Sequence, residues 1–302
     1  MRYLVTGGAG FIGSHIVDRL LSEGYEVVIL DSLIKEPVRA IPQEVRLIKK
    51  DIRDVSATDF AGIDGVFHCA ALTSVQESIE NPEAYHDVNV NGTLKVLIAA
   101  SEAKVKRLVY SASAAAYGDT IDVPSTEQAR PQPQSPYGLQ KYIGEHYARV
   151  FSQITDLETV SLRYFNVFGP RMGLRGGYIN AISVFMKQWR QQQPLTVTGD
   201  GTQTRDFIYV GDIARANVMA MTSDTVGSGE VLNIGSGVSR TINSVAELIS
   251  QNITYIAPRL EPHDSQADIT LAKTLISWEP QTDFNQALEE TKSWIQTLEV
   301  LP

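Results

Sequence analysis

A single cysteine, Cys69, in 302 residues leaves nothing for an intrachain disulfide and rules out a zinc cluster built on cysteines. Lysine and arginine number 26 against 35 aspartates and glutamates, a formal net charge of −9, and nowhere gather into a run. That balance argues against a nucleic-acid or anionic-membrane surface, so any anionic ligand has to be held by local donors. No apolar run approaches membrane-spanning length, and "MRYLVTG" enters a strand at once, leaving no room for a signal peptide. The expected compartment is therefore the cytoplasm. What is present is ordinary: 43% hydrophobic and 20% charged residues, enough for one large or two modest globular domains.

The first half alternates β-branched runs with helical patterns: "RYLVTG", a helix over 12–23, then "YEVVIL", "VRLIKK", "DGVFHCAA", "KRLVYSAS" and "ETVSLRYF". Such alternation predicts a doubly wound parallel sheet with helices on both faces. Ile12, Ile16, Leu20 and Leu21 recur at helical spacing before Gly24, so one face of that first helix packs on the sheet. The second half is less regular. It predicts an amphipathic stretch at 180–190, helices near 211–221, 243–251 and 283–297, and a strand in "EVLNIGSG". It reads as a smaller α/β cap over the carboxyl edge of the sheet, with the boundary near residue 165.

Directly after the first strand comes "TGGAGFIG", which sets Gly7, Gly10 and Gly13 in dinucleotide-binding spacing. The first glycine allows the tight turn, the second lets the backbone approach a pyrophosphate, and the third lets helix and strand meet closely. The second strand ends in Asp31, where a carboxylate accepts from an adenosine ribose and repels a 2′-phosphate, favouring NAD over NADP. Asp51 and Ile52, ending the third strand, are candidates for the adenine edge.

"SPYGLQK" places Tyr137 and Lys141 four residues apart on one helix face. A surface pair would have the same spacing. A free phenol ionises near pH ~10, however, and a neighbouring ammonium favours the phenolate, so the pair is also a candidate base. Ser113, ending the strand "LVYSAS", supplies a hydroxyl that could share a proton between substrate and phenol. Cys69 reads as a small buried hydrophobe and His68 as a core histidine. No metal site is visible.

The chain resembles the extended short-chain dehydrogenases/reductases, in particular their nucleotide-sugar epimerases and dehydratases. The likeness covers nearly the whole chain and rests on "TGGAGFIGSH", "HCAAL", "NVNGT", "VYSASAAAYGD", "SPYGLQK", "RYFNVFGPR" and "GDGTQTRDFIYVGDIA", in that order. It implies a Rossmann-type NAD-binding domain over 1–165 and a mainly nucleotide-sugar-binding domain over 166–302, with the chain crossing between them. It implies Tyr137 as catalytic base, Lys141 as the lysine that binds nicotinamide ribose and lowers the tyrosine pKa, and Ser113 beside the reacting hydroxyl. Further cofactor contacts implied are Phe11, Ile12, Ser32, Ala70, Ala71, Asn89, Ser111 and Tyr164. A homodimer is implied as well, through helices at about 84–103 and 137–152.

Dehydratases of the family usually follow the serine or threonine with an Asp–Glu pair, and its decarboxylases commonly carry a glutamate nearby. Here Ala114 and Ala115 follow Ser113, and neither moves a proton. What remains is chemistry that needs one base and a hydride acceptor: 4-epimerisation, in which a 4-keto sugar turns over and is reduced from its other face. A reductase or epimerase of another nucleotide sugar, such as a UDP-uronate or a dTDP-sugar, is the alternative enzyme. A non-catalytic NAD-binding regulator would have no use for Ser113, Tyr137 and Lys141.

For the substrate, the resemblance implies Arg205 on the diphosphate, where a guanidinium fork suits phosphate, Asn166 at its near end and Ser74 beside the sugar. A second arginine is implied at Arg259, in "APRLEPHD", which is one residue shorter than the family segment and lacks its glycine. Thr198 stands where the family often has a uracil-facing phenylalanine. In "HDSQADI", Ser265 takes the place that is a bulky tyrosine in members restricted to plain hexoses and a small residue in those accepting an N-acetyl group. The expected substrates are UDP-GlcNAc and UDP-GalNAc, with UDP-glucose and UDP-galactose beside them.

Overall fold

The computed structural model describes residues 1–119, 123–174, 179–258 and 263–298. Its twelve strands run β1 (Arg2–Thr6), β2 (Glu26–Asp31), β3 (Arg46–Lys49), β4 (Gly65–His68), β5 (Arg107–Ser113), β6 (Glu158–Tyr164), β7 (Asn166–Phe168), β8 (Leu195–Thr198), β9 (Thr204–Tyr209), β10 (Ser228–Ile234), β11 (Ser239–Thr241) and β12 (Ile253–Ile256). The helices are α1 (Phe11–Ser22), α2 (Val75–Glu80), α3 (Pro82–His86), α4 (Thr93–Glu102), α5 (Pro136–Ile154), α6 (Ala181–Arg190), α7 (Val210–Thr222), α8 (Ile242–Ile249), α9 (Thr270–Ile276) and α10 (Phe284–Thr297). A π-helical stretch, Asp87–Gly92, joins α3 to α4.

Seven parallel strands form the main sheet in the order β10-β6-β5-β4-β1-β2-β3. Its inner strands are buried on both faces, as a parallel sheet between two helix layers requires, while the edge strand β3 is largely exposed. On one face Val5, Ile29, Phe67, Val109 and Leu162 meet Ile16 and Leu20 of α1 and Ile213 and Ala216 of α7. On the other, Leu4, Val28, Val66 and Leu108 meet Val96 and Leu97 of α4 and Ala148 of α5. Each fully buried Val, Leu, Ile or Phe among them stabilises the fold by roughly 1.5–3 kcal/mol. The strand read in "EVLNIGSG" is β10, and it pairs with β6 at the edge of this sheet, so residues from beyond 165 complete the first layer system.

The remaining strands make two small sheets, β11-β9-β7 and β12-β8, against α6, α8 and α10. Phe168, Phe207 and Phe284 anchor this unit, with the Phe168 and Phe284 rings 5.3 Å apart. In the large sheet the strand order reverses between β1 and β4, and that switch point opens a crevice beyond the carboxyl ends of the strands.

Candidate active site

A cavity of about 1680 Å³ occupies the crevice and runs from the glycine loop to β9 and the 264–265 segment. Of the described residues singled out in the sequence for catalysis or binding, all but Ser74 and Asn89 line it. Ser74 does not, because its hydroxyl is the N-cap of α2 and accepts the Glu77 N–H at 3.2 Å. Asn89 does not either: its amide clamps the backbone of Leu72 at 2.8 and 2.9 Å and reaches Gln140 Oε1 at 3.1 Å. It shapes the wall from behind. Arg259 lies outside the described residues, and Thr198, in β8, is not on the wall.

At the cofactor end, Gly7 has φ +68°, a conformation L side chains rarely adopt, and a Cβ there would lie 2.8 Å from Ala70 N. A Cβ on Gly13 would stand 2.2 Å from the Gly7 carbonyl oxygen, so α1 can seat on the loop only with glycine there. Gly10 begins α1 with no side-chain cap, which leaves the first-turn N–H groups facing the cavity. Asp31 is fixed by the Ala9 N–H at 3.1 Å and the Leu33 N–H at 2.9 Å. Asp51 is bound by Arg53, whose hydrogen bonds hold its carboxyl below the usual range. A donor-rich helix end, a closely approachable glycine turn and an acid at the end of β2 fit NAD, with Asp31 for the adenosine ribose.

At the chemical end, Ser135 caps α5 by accepting the Gly138 N–H at 3.1 Å, and Pro136 takes the first helical position. Gly138 lets this helix start crowd the turn after β5, since a Cβ there would meet the Ala115 carbonyl oxygen at 2.6 Å. Tyr137 and Lys141 are thereby buried beside Ser113. The Tyr137 phenol is pushed up to about 12 by burial, and a hydrogen bond with Ser113 lowers it only in part. Burial pulls the Lys141 ammonium down to about 8, and its Nζ donates to the Ser111 carbonyl at 2.7 Å. Desolvation governs both groups, raising the phenol and lowering the ammonium, and Ser113 rather than Lys141 is what eases the phenol back.

Behind this pair, the Ser111 hydroxyl meets the Tyr164 hydroxyl at 3.2 Å and donates to Cys69 Sγ at 3.3 Å. Cys69 is thus a half-buried part of the cavity wall rather than plain core, and burial pushes its thiol up to about 11. His68 is the core histidine expected. Its ring bridges Thr6 at 2.7 Å and Thr93 at 3.0 Å, and burial drives it down to about 3. At the far end, Asn166 donates to the Asp206 carbonyl at 3.1 Å, and Arg205 Nη1 donates to the Thr204 and His263 carbonyls at 2.7 and 3.2 Å. The sequence reading missed Arg171, which lines the cavity and donates to Asp18 of α1 at 2.8 Å. Its place in "FGPR" was the only signal.

Residues 3–235 match the NAD dependent epimerase/dehydratase family. A putative UDP-glucose 4-epimerase of Methanocaldococcus jannaschii is 36% identical over 304 residues, covering 97% of this chain and 98% of the relative. The solved UDP-N-acetylglucosamine 4-epimerase of Methanobrevibacter ruminantium, in complex with UDP-N-acetylmuramic acid, superposes with a TM-score of 0.93 at 36% identity, covering 98% of each chain. The UDP-glucuronic acid 4-epimerase of Bacillus cereus, with UDP-glucuronic acid and NAD, gives 0.89 at 32% identity, covering 98% of this chain and 99% of that one. Likeness over nearly the whole chain and a glycine loop sharing one cavity with Ser113 and the buried Tyr137–Lys141 pair agree: the chain belongs to the NAD-dependent epimerase/dehydratase family, as an NAD-dependent nucleotide-sugar 4-epimerase.

Proposed function

We propose that the protein inverts carbon-4 of UDP-N-acetylglucosamine and UDP-N-acetylgalactosamine, and of UDP-glucose and UDP-galactose beside them. The observation that carries this reading is the placement of Ser113 and Tyr137 on one cavity wall, with Ala114 and Ala115 following Ser113 in the same turn. One phenol with a serine hydroxyl moves the proton of a sugar hydroxyl, and the two alanines offer nothing for eliminating water. Glu77, on the α2 side of the wall, accepts the Tyr85 hydroxyl at 2.9 Å.

Tyr137 takes the 4-hydroxyl proton through Ser113 and returns it after the sugar has turned over. Bound NAD supplies the hydride acceptor and donor for carbon-4, so no net oxidation occurs. Arg205 and Asn166 hold the diphosphate during the turn, and Lys141 supports the phenol and the nicotinamide ribose. Ser265, small and on the wall, leaves room for the acetamido group.

The proposal includes a second copy of the chain. The outer face of α5 carries Leu139, Val150 and Ile154, which are 47%, 43% and 69% exposed, with Tyr142, Ile143 and Tyr147 half-buried between them. Ile98 of α4 is also 37% exposed, and a paired copy would cover these apolar side chains. Among the described residues, no helix is long and apolar enough to cross a membrane.

Incubating the purified protein with UDP-GlcNAc, UDP-glucose and UDP-glucuronic acid separately, then resolving the sugars, tests the reading. The expected products are 4-epimers of unchanged mass from the first two. A product lighter by water, or turnover of the uronate alone, would overturn it.

A further inference from the structure

The carboxylate of Asp206 is fully buried, next in sequence to the diphosphate candidate Arg205, and the reaction as described makes no use of it. Its four partners are all donors. Oδ1 accepts from the Ser236 N–H at 2.6 Å and the Ser236 hydroxyl at 2.7 Å, and Oδ2 accepts from the N–H groups of Gly237 at 2.9 Å and Ala267 at 3.0 Å. The turn is shaped around the carboxylate: Gly237 has φ +71°, and a Cβ on Gly235 would lie 2.8 Å from Oδ2. A buried charge with such a shell fixes the geometry of the segments that supply the donors.

Those segments matter because of where they lead. Ala267 is two residues from Ser265, and Asp264 and Ser265 form the sugar end of the cavity wall. The same short segment is tied to β9 at two further points. The Thr204 N–H donates to the His263 carbonyl at 2.9 Å, and the Thr204 hydroxyl donates to Asp264 at 2.7 Å. On its other side the Asp206 carbonyl receives the Asn166 amide at 3.1 Å. Three consecutive residues of one strand therefore fasten the sugar wall to the diphosphate grip.

We propose that Asp206 is a positioning residue for the sugar, holding the wall at 264–267 at a fixed reach from the groups that bind the diphosphate. It touches no substrate. An asparagine in its place keeps one acceptor but turns an N–H₂ toward either the Ser236 or the Gly237 and Ala267 donors, which loosens the wall while leaving Arg205 and Asn166 in the chain. The inference rests on the UDP-sugar reading above.

The test measures KM for UDP-GlcNAc and Kd for UDP, which has no sugar, in wild type and Asp206→Asn. The loss of two charge-assisted bonds raises KM about tenfold, while Kd for UDP rises less than about threefold. Retained NAD is expected to be unchanged. Equal losses for UDP and UDP-GlcNAc, or an unchanged KM, would overturn the inference. Should Asp206→Asn fail to fold, Ser236→Ala removes the hydroxyl that donates to Oδ1 and that also bonds the Val238 backbone, and it is expected to raise KM about threefold with the same split; an unchanged KM there counts against the inference equally. Wild-type turnover is read in the same run, so failure of the reaction assignment shows separately.

Discussion

Lys141 and Ser111 are joined across the floor of the cavity: the lysine Nζ donates to the serine carbonyl at 2.7 Å, while 4.9 Å away lies the centre of the Tyr110 ring. This contact fastens α5 to β5 and fixes where Tyr137, one helical turn earlier, presents its hydroxyl to Ser113. Helix and strand hold the proposed reacting groups as one unit.

Removing the phenolic oxygen should therefore stop chemistry without disturbing binding. Tyr137→Phe is expected to lower kcat about a thousandfold, within the range for loss of a general acid–base. NAD retained through purification and Kd for UDP should stay within about twofold of wild type, because neither depends on that oxygen. Steady-state kinetics and quantification of released nucleotide check this; full activity in the variant would remove Tyr137 as the base.

Burial of Lys141 makes stability depend on pH in a definite direction. Its folded value, about 8, lies below the ordinary 10.5, so between these values the unfolded chain binds more protons than the folded one. Stability then rises with pH through that window, and the cost of burying the ammonium is fully present below pH 8. Lys141→Met abolishes this dependence. Wild type should gain in melting temperature relative to the variant on going from pH 7 to pH 10, in thermal melts at matched ionic strength. A constant difference would show that the lysine is not desolvated.

Much of this site can be read from the chain because its parts are local. Gly7, Gly10 and Gly13 lie in one turn, Asp31 ends the next strand, and Tyr137 with Lys141 is a helix spacing, so each carries its geometry in a few residues. Non-local features were hidden. β7 pairs with β9 some forty residues on, and the Asp206 nest gathers donors from 236, 237 and 267, which no periodicity joins. Ser74 and Asn89 were assigned side chains facing ligand, but unpaired backbone groups nearby claim both. The phenol's direction of shift was also beyond spacing alone, since it turns on how deeply both partners are buried.

On the proposed reading, sugar size is decided at Ser265. Its carbonyl accepts the Ser239 hydroxyl at 2.8 Å and its neighbour Asp264 is held by Thr204 at 2.7 Å, so the backbone there cannot retreat to admit a larger side chain. With a serine on the wall, that reading gives an acetamido group on carbon-2 its space. A tyrosine in its place occupies that space while a plain carbon-2 hydroxyl still fits, so the penalty falls on one substrate class. Ser265→Tyr is expected to cut kcat/KM for UDP-GlcNAc about a hundredfold and that for UDP-glucose less than about threefold, a difference of about 2 kcal/mol, in the range of overpacking a formed pocket. Kinetics on both pairs, with UDP binding as a control for the diphosphate grip, decide the matter. Equal losses on the two sugars would place the size limit on another part of the wall.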